Sequence, residues 1–128
     1  MSPPLPSLTR RERQVVDILY RLGEAPVSQV RDEMQDPPGY SAVRALMNVL
    51  VRKGHLAYRR DGLRYVYRPT RPRHQAARSA LKRTVQTFFE GSPEKAVAAL
   101  IDMAAVEMDP RELERIEKMI RQTKERKE

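Results

Sequence analysis

Side chains that can hydrogen-bond base edges are concentrated in one stretch of the chain, residues 40–53. Its apolar residues recur at helical spacing and predict one buried helix face: Val43, Leu46, Met47 and Leu50. The opposite face carries small, hydrogen-bonding or cationic residues: Ser41, Ala42, Arg44, Ala45, Asn48 and Arg52. Small residues allow close approach to the major groove, where Arg and Asn can reach base edges. The pattern indicates either a DNA recognition helix or an ordinary amphipathic helix with a solvated basic face.

The segments before this stretch predict two further helices. Thr9 and Glu12 form a T-x-x-E capping box, and Gly23 is placed to end the helix that follows. A shorter helix is expected over residues 28–34, with Val27 before it as a possible one- or two-residue strand. The break at residues 37–39 (Pro-Pro-Gly) leaves Ser41 as the expected N-cap of the central helix. Three helices with short connections predict a helix-turn-helix arrangement.

A β-hairpin is expected directly after the central helix. Residues 56–60 and 63–68 alternate apolar and polar side chains, and Asp61-Gly62 is the expected two-residue turn. The second strand places Leu63, Tyr65 and Tyr67 on one face, with Arg64, Val66 and Arg68 on the other. Three helices followed by a two-stranded hairpin predict a winged helix over residues 9–70, with a core made of Val15, Leu19, Val30, Val43, Leu46, Leu50, Leu56 and Tyr67.

Positive charge is concentrated on the predicted wing and its surroundings. Residues 52–83 contain eleven Lys or Arg and a single acid, Asp61, whereas the whole chain carries a net charge of +8. An isolated basic run is usually only a solvated surface. Here the charge coincides with the two elements that a winged helix presents to a duplex, which favours DNA binding.

The last third of the chain predicts a helical domain of a different character. Residues 71–75 are the expected hinge, residues 76–128 hold three expected helices, and Ser92 and Asp109 are placed as N-caps. These three helices are few and their apolar stripes are narrow, so they can bury little apolar surface against one another. Their apolar stripes therefore require a partner, and a second copy of the chain is the simplest one. The expected dimer contacts are Val97, Leu100, Ile101, Leu113, Ile116 and Ile120. The proline-rich residues 1–8 are expected to be flexible.

Composition excludes several classes of function. The chain contains no Cys, so disulfides, thiolate metal sites and thiol nucleophiles are absent. His55 and His74 are the only histidines, and neither has metal-ligand spacing to a second ligand. There is no catalytic constellation, signal peptide or transmembrane run. The expectation is therefore a cytoplasmic protein that is not an enzyme and needs no cofactor or metal.

The order and spacing of these segments resemble the penicillinase and methicillin-resistance repressors (BlaI/MecI type). The resemblance covers nearly the whole chain, from LTRRERQVVDILYRLGEAPVSQVRDEM and YSAVRALMNVLVRKGHL through RDGLRYVYRP, EGSPEKAVAALI and MDPRELERIEKMI. It implies a mainly α protein with an N-terminal winged helix-turn-helix and a C-terminal three-helix dimerisation domain. It also implies repression through a dyad-symmetric operator.

The resemblance assigns roles to individual residues. The base-facing residues would be Ser41, Ala42, Arg44, Ala45 and Asn48. The contacts to the DNA backbone would come from Tyr40, Arg52, Lys53, Arg59, Arg60 and Arg64. Where the family commonly has a second hydroxyl residue after the tyrosine, this chain has Ala42, which could pack on a thymine methyl group instead.

Two departures concern how the repressor would be released. The resemblance implies a sensor protease as a partner, but the family's Asn-Phe cleavage pair is replaced by Ile101-Asp102. The cysteine-rich copper-binding tail of other relatives has no counterpart in a chain without Cys. The sequence therefore predicts a repressor without predicting its inducer. Two alternatives stay open: an architectural duplex-binding protein of low specificity, and a winged-helix module that binds an acidic protein.

Overall fold

The computed structural model describes residues 5–128 and contains six helices and one two-stranded sheet in that range. The elements are α1 (Arg10–Leu22), α2 (Val27–Glu33), α3 (Tyr40–Arg52), β1 (Leu56–Asp61), β2 (Arg64–Pro69), α4 (Arg73–Phe88), α5 (Pro93–Ala104) and α6 (Pro110–Lys127). The chain forms two compact units, and the boundary between them lies between Arg78 and Ser79. The fold confirms the predicted mainly α class with a two-stranded wing.

The first unit is built on the core predicted from helical spacing. The fully buried large side chains come from all three helices: Val15, Leu19, Val30, Val43, Met47 and Leu50. Leu56 and Tyr67 close this core from the wing, whereas Leu46 is only partly buried at its edge. The predicted capping box is present, because Glu12 N–H donates to Thr9 Oγ1 and Thr9 N–H donates to Glu12 Oε1. The N-terminal start of α1 is therefore a local property of its sequence.

Two predicted helix starts were wrong. Val27 is the first residue of α2, and the isolated strand pairing involves Ala25, whose backbone bonds that of Tyr67 in both directions at 3.0 and 2.9 Å. Ser41 is not an N-cap, since α3 begins one residue earlier at Tyr40 with Gly39 in the cap position. Among the described residues no side chain caps this end of α3. Ser41 is left in the exposed first turn, with its hydroxyl available to a ligand.

The wing was predicted with its turn one residue too early. Asp61 pairs with Arg64 in the antiparallel ladder, so the two-residue turn is Gly62-Leu63, with Gly62 at φ 65°. Leu63 is fully exposed at the tip because it lies in the turn rather than on a buried strand face. Tyr67 and Val66 are both buried, although alternation places them on opposite faces. The base of the wing is thus covered on both sides, unlike its tip.

Residues 5–8, part of the lead-in that was expected to be flexible, lie against the winged helix. Leu8 packs on the core, and a Leu5 methyl lies 3.2 Å from the Cβ position that a side chain at Gly54 would occupy. The backbone oxygens of Pro6 and Ser7 accept from His55 Nε2 (2.6 Å) and Lys53 Nζ (3.3 Å). The part of that expectation covering residues 1–4 lies outside the described residues.

The second unit consists of the C-terminal part of α4 followed by α5 and α6. Both predicted N-caps are present: Ser92 Oγ accepts from Lys95 N–H and Asp109 Oδ1 accepts from Glu112 N–H. Since α4 begins at Arg73, the residues expected to form the hinge overlap its first turn. Within residues 5–128, no helix is long and apolar enough to span a membrane.

Candidate nucleic-acid interface

The outer face of α3 is exposed along its first two turns. Ser41, Ala42, Arg44 and Ala45 are all exposed, whereas Val43 and Met47 on the other side are fully buried. The packing of the apolar stripe therefore fixes which side of α3 faces outward. This outward side contains no acid and only one side chain longer than Ser in its first two turns beyond Tyr40, namely Arg44. Such a face can enter a groove closely while offering a guanidinium to base edges.

Asn48 differs from the other predicted base-facing residues. Its side chain is half-buried, and its Oδ1 accepts a hydrogen bond from the Tyr67 hydroxyl at 3.2 Å. The amide NH₂ group of Asn48 retains two donors for another acceptor. The Tyr67 pKa is raised by burial and lowered in part by Arg44, so the hydroxyl is a proton donor at neutral pH. The wing thus orients a side chain of α3.

A cleft of about 190 Å³ lies between α3, the start of α2 and the wing. Its lining comes from three parts of the first unit: Pro26, Val27, Ser28, Tyr40, Arg44, Leu63, Arg64, Tyr65 and Tyr67. Two guanidinium groups and three phenols therefore surround a space between the two DNA-facing elements predicted from the sequence. Arg and Tyr side chains are common donors to phosphate oxygens and sugars.

The wing arginines are exposed, and their partners are exposed as well. Arg59 Nη2 lies 2.7 Å from Glu24 Oε1, and Arg64 Nη2 lies 3.5 Å from Asp61 Oδ2. Arg60 Nε donates to Gly62 O at 3.2 Å, a contact within the turn itself. The hydrogen bond from Arg59 lowers the pKa of Glu24, so this carboxylate stays ionised at neutral pH. Exposed pairs of this kind contribute little to stability and can exchange for phosphate oxygens.

Lys53, which was predicted to contact the DNA backbone, already has partners within the first unit. Its Nζ lies 2.8 and 3.0 Å from the two carboxylate oxygens of Glu12 and also donates to Ser7 O. Glu12 is only 3% exposed, so Lys53 neutralises a carboxylate inside the first unit. The Lys53 hydrogen bond, and next the Thr9 backbone N–H, lower the pKa of Glu12. If the Lys53 ammonium group moved to a DNA phosphate, the buried Glu12 carboxylate would lose its cationic partner. The loss of that partner would cost folding free energy.

The penicillinase repressor family model matches residues 8–122. The chain belongs to the penicillinase repressor family. It is a transcriptional repressor with a winged-helix DNA-binding unit, as the sequence predicted. No curated protein sequence matches this repressor.

Solved structures similar to this chain include a complex and two repressors. The complex of hsRosR-S1 is 18% identical with a TM-score of 0.56, covering 78% of this chain and 96% of that one. The DNA-binding domain of the repressor BlaI is 18% identical with a TM-score of 0.49, covering 56% and 89%. The CopR repressor is 26% identical with a TM-score of 0.45, covering 52% and 100%. The likeness to hsRosR-S1 supports the fold, and the family match supports the class of function.

The aromatic cluster of the repressor's wing was not predicted from the sequence. The Tyr58 and Tyr65 rings meet edge to face with centroids 5.0 Å apart, and the Tyr58 and Tyr67 centroids are 5.7 Å apart. The register pairs Tyr58 with Tyr67, so the strand pairing itself brings these rings together. Counting aromatic residues on the two expected strands would have indicated this cluster. Such ring contacts across the strands add to the stability of the wing.

Nothing in residues 5–128 of the repressor brings three potential metal ligands (His, Cys, Asp or Glu) close enough to hold a metal ion. His55, one of two histidines, has its Nε2 2.6 Å from Pro6 O. This contact, made from the turn after α3, helps to hold residues 5–8 against the first unit.

Proposed function

We propose that this repressor binds a dyad-symmetric DNA operator as a homodimer, with α3 in the major groove and the wing on the flanking backbone. The observation that carries the proposal is the exposed, acid-free face of α3 beside the basic wing. The wing's Arg59, Arg60 and Arg64 are all exposed. This arrangement matches the two elements by which winged helices engage a duplex.

Base reading is assigned to the outward side of α3. Arg44 can donate two hydrogen bonds to guanine, and the free donors of Asn48 can meet an acceptor on a base edge. Ser41 can bond either type of group, while Ala42 and Ala45 can pack on thymine methyl groups. These five side chains would determine which operator sequence is bound. Asn48 acts from a position held by Tyr67.

Backbone contacts are assigned to Tyr40, Arg52, Arg59, Arg60 and Arg64. Tyr40 and Arg64 line the cleft between α3 and the wing, so one phosphate group seated there could be contacted from both elements. Arg59 would exchange its exposed pairing with Glu24 for a phosphate oxygen. Contacts of this kind supply most of the affinity and make it depend on salt.

Dimerisation is assigned to the apolar faces of α5 and α6. Five of the six predicted dimer contacts are exposed in the single chain: Val97, Leu100, Ile101, Leu113 and Ile120. The sixth, Ile116, is half-buried. Phe88, Met103 and Val106 add further exposed apolar surface. A second copy of the chain would cover this surface and supply the second recognition helix of a dyad.

Release by a sensor protease is not part of this proposal. The family's cleavage pair is replaced by Ile101-Asp102 on α5, and both of these residues are exposed. A protease with the Asn-Phe preference would have no matching bond there.

The test is selection of bound sequences from a random duplex pool at two salt concentrations. We expect an enriched inverted repeat whose half-sites lie about one helical turn apart. Salt-sensitive binding without an enriched motif would overturn sequence-specific repression in favour of an architectural role. Absence of binding at low salt would instead favour a module that binds an acidic protein.

A further inference from the structure

A second and larger cleft, of about 570 Å³, lies between the first half of α1 and the loop that leads into α3. We name it the α1 cleft, lined by Arg10, Arg11, Arg13, Gln14, Asp17, Gln35 and Asp36. As described over residues 5–128, it shares no lining residue with the cleft beside the wing. Neither the base-facing residues nor the wing arginines contribute to it. The α1 cleft is therefore a separate concentration of arginines.

Arg11 is held in place at one side of this cleft. Its Nη2 donates to Asp36 O at 2.9 Å and its Nη1 donates to Gln14 Oε1 at 3.2 Å and to Gln35 O at 3.4 Å. These neutral oxygen acceptors hold the Arg11 guanidinium in place. They do not neutralise its positive charge. A preorganised guanidinium loses little further entropy when it binds an oxyanion.

Arg13 has an unmet hydrogen-bonding requirement. Its Nη1 is buried and finds no acceptor among the residues that the structure describes, although the side chain as a whole is half-buried. A buried charged N–H without an acceptor is unfavourable, and such groups usually mark a missing partner. The Arg13 side chain also lines the cleft, so its guanidinium group lies close to any oxyanion bound there. Together with the fixed Arg11 guanidinium, it favours a ligand with acceptor oxygens.

The acidic groups of the cleft reduce its positive charge without cancelling it. Three arginines face two carboxylates, Asp17 and Asp36, which leaves a net charge of +1 for the lining. Burial raises the pKa of Asp17 in spite of the opposing effect of Arg13. An anion bound nearby would raise that pKa further. Lower pH should therefore strengthen anion binding.

The far wall of the cleft continues into the recognition helix. Gln35 and Asp36 belong to the loop that ends at Gly39, the cap position of α3. Asp36 has a positive φ of 51°, and Arg31 Nε holds the same loop through Pro38 O at 2.9 Å. A ligand that altered the Arg11 contacts to Gln35 and Asp36 would act on the segment that sets the start of α3. The cleft is placed to influence DNA binding.

We propose that the α1 cleft binds a small molecule bearing phosphate or carboxylate groups, and that its occupancy changes the affinity of α3 for DNA. Arg10, Arg11 and Arg13 supply the donors, and the loop over residues 35–39 carries the effect to α3. The second part of this proposal rests on the proposed repressor function. The first part does not, because ligand binding can be measured without DNA.

The ligand-binding test uses inorganic pyrophosphate as the probe and calorimetric titration of the full chain. Sodium chloride at equal ionic strength is the control for screening. We expect saturable pyrophosphate binding that weakens about tenfold or more in Arg13→Gln, the loss expected for one charge-assisted hydrogen bond. Arg10→Gln, an exposed position at the start of α1, provides a second variant with little risk to folding. Arg21→Gln on the same helix is the matched control, since Arg21 pairs with Glu33 outside the cleft.

Three results would overturn the site. Pyrophosphate that acts only in proportion to ionic strength would mean general screening. Equal binding by wild type, Arg13→Gln and Arg10→Gln would place the anion elsewhere. If both variants weaken duplex binding without pyrophosphate and flatten its salt dependence, the arginines are DNA-backbone contacts.

The coupling test repeats duplex binding with and without saturating pyrophosphate. A changed affinity in wild type and Arg21→Gln, absent from Arg13→Gln, supports regulation through the cleft. Saturable pyrophosphate binding without any change in duplex affinity would overturn the coupling alone. Failure of the operator selection, with pyrophosphate binding intact, would count against the proposed repressor mechanism and leave the anion site standing.

Discussion

The Tyr67 hydroxyl in β2 donates a 3.2 Å hydrogen bond to the amide oxygen of Asn48 on α3. One residue belongs to the wing and the other to the helix proposed to read bases. Because Tyr67 is buried and also pairs with Ala25 through its backbone, the wing base is a fixed support. The orientation of Asn48 is therefore set by the tertiary structure before DNA is bound.

Replacing Tyr67 by Phe should remove this orientation while keeping the ring in the core. We expect a loss of about 1 kcal/mol in the free energy of unfolding, the usual size of one hydrogen bond. We also expect weaker preference at the operator position read by Asn48. Selected sequences from the variant and from Asn48→Ala should relax at the same position. Relaxation at different positions would show that Tyr67 does not act through Asn48.

Arg44→Ala and Arg60→Ala should separate base reading from backbone contact. Arg44→Ala is expected to cost about 1–3 kcal/mol on the cognate operator and much less on scrambled DNA. Arg60→Ala should weaken both duplexes alike and reduce the slope of log affinity against log salt. Titrations of both duplexes at several salt concentrations provide the measurement. Identical behaviour of the two variants would contradict the division of roles between α3 and the wing.

The Glu12–Lys53 pair should make the first unit sensitive to acid. In the folded state the pKa of Glu12 is lowered from 4.5. The stabilisation that the pair provides is therefore complete above pH 4.5 and is lost as the pH falls through the lowered pKa of Glu12. Lys53→Met should destabilise the unit by about 3 kcal/mol at neutral pH, since a buried carboxylate loses its partner. Glu12→Gln should lose stability at neutral pH and show a weaker decline in acid.

Urea unfolding followed by tyrosine fluorescence can test this ion pair in the full chain. All five tyrosines lie between residues 20 and 67, and the chain has no Trp, so the signal reports the first unit alone. Arg21→Met is the control, because the Arg21–Glu33 pair is exposed on both sides. If Lys53→Met and Arg21→Met have equal effects, burial of Glu12 does not govern the energetics.

Leu113→Glu or Ile116→Glu should convert the proposed dimer to monomers, because a carboxylate would have to be buried in the apolar interface. Light scattering coupled to gel filtration measures the mass. Lys118→Glu, an exposed position on another side of α6, should leave the mass unchanged. A dimeric mass for both Leu113→Glu and Ile116→Glu would move the interface away from α6.

Features determined by neighbouring residues were predictable from the sequence. The N-caps Thr9, Ser92 and Asp109 each depend on a residue three positions later, and all three are present. The apolar stripe of α3 likewise follows from helical spacing alone. Such patterns predicted the elements and most of the first unit's core.

Features that depend on distant pairing were missed. The pairing of Lys53 with Glu12 was not predicted, because Glu12 lies 41 residues earlier in the chain. Asn48 and Tyr67 are 19 residues apart, and Arg11 meets Gln35 and Asp36 across 24 and 25 residues. The periodicity of apolar residues carries no information on contacts between residues that are far apart in the sequence. The wing turn shifted by one residue because strand register, not the Asp-Gly pair alone, decided where the ladder ended.

The turn after α3 joins both ends of the first unit. On the N-terminal side, Leu5, Pro6 and Ser7 contact this turn. On the C-terminal side, Thr70 Oγ1 donates to Gly54 O at 2.6 Å and Thr70 N–H donates to His55 O at 3.1 Å. The entry and exit of the winged helix therefore lie side by side. A domain with adjacent ends tolerates circular permutation and transplantation. Linking residue 70 to residue 5 and opening the wing tip at Gly62-Leu63 should yield a rearranged chain with the same recognition surface.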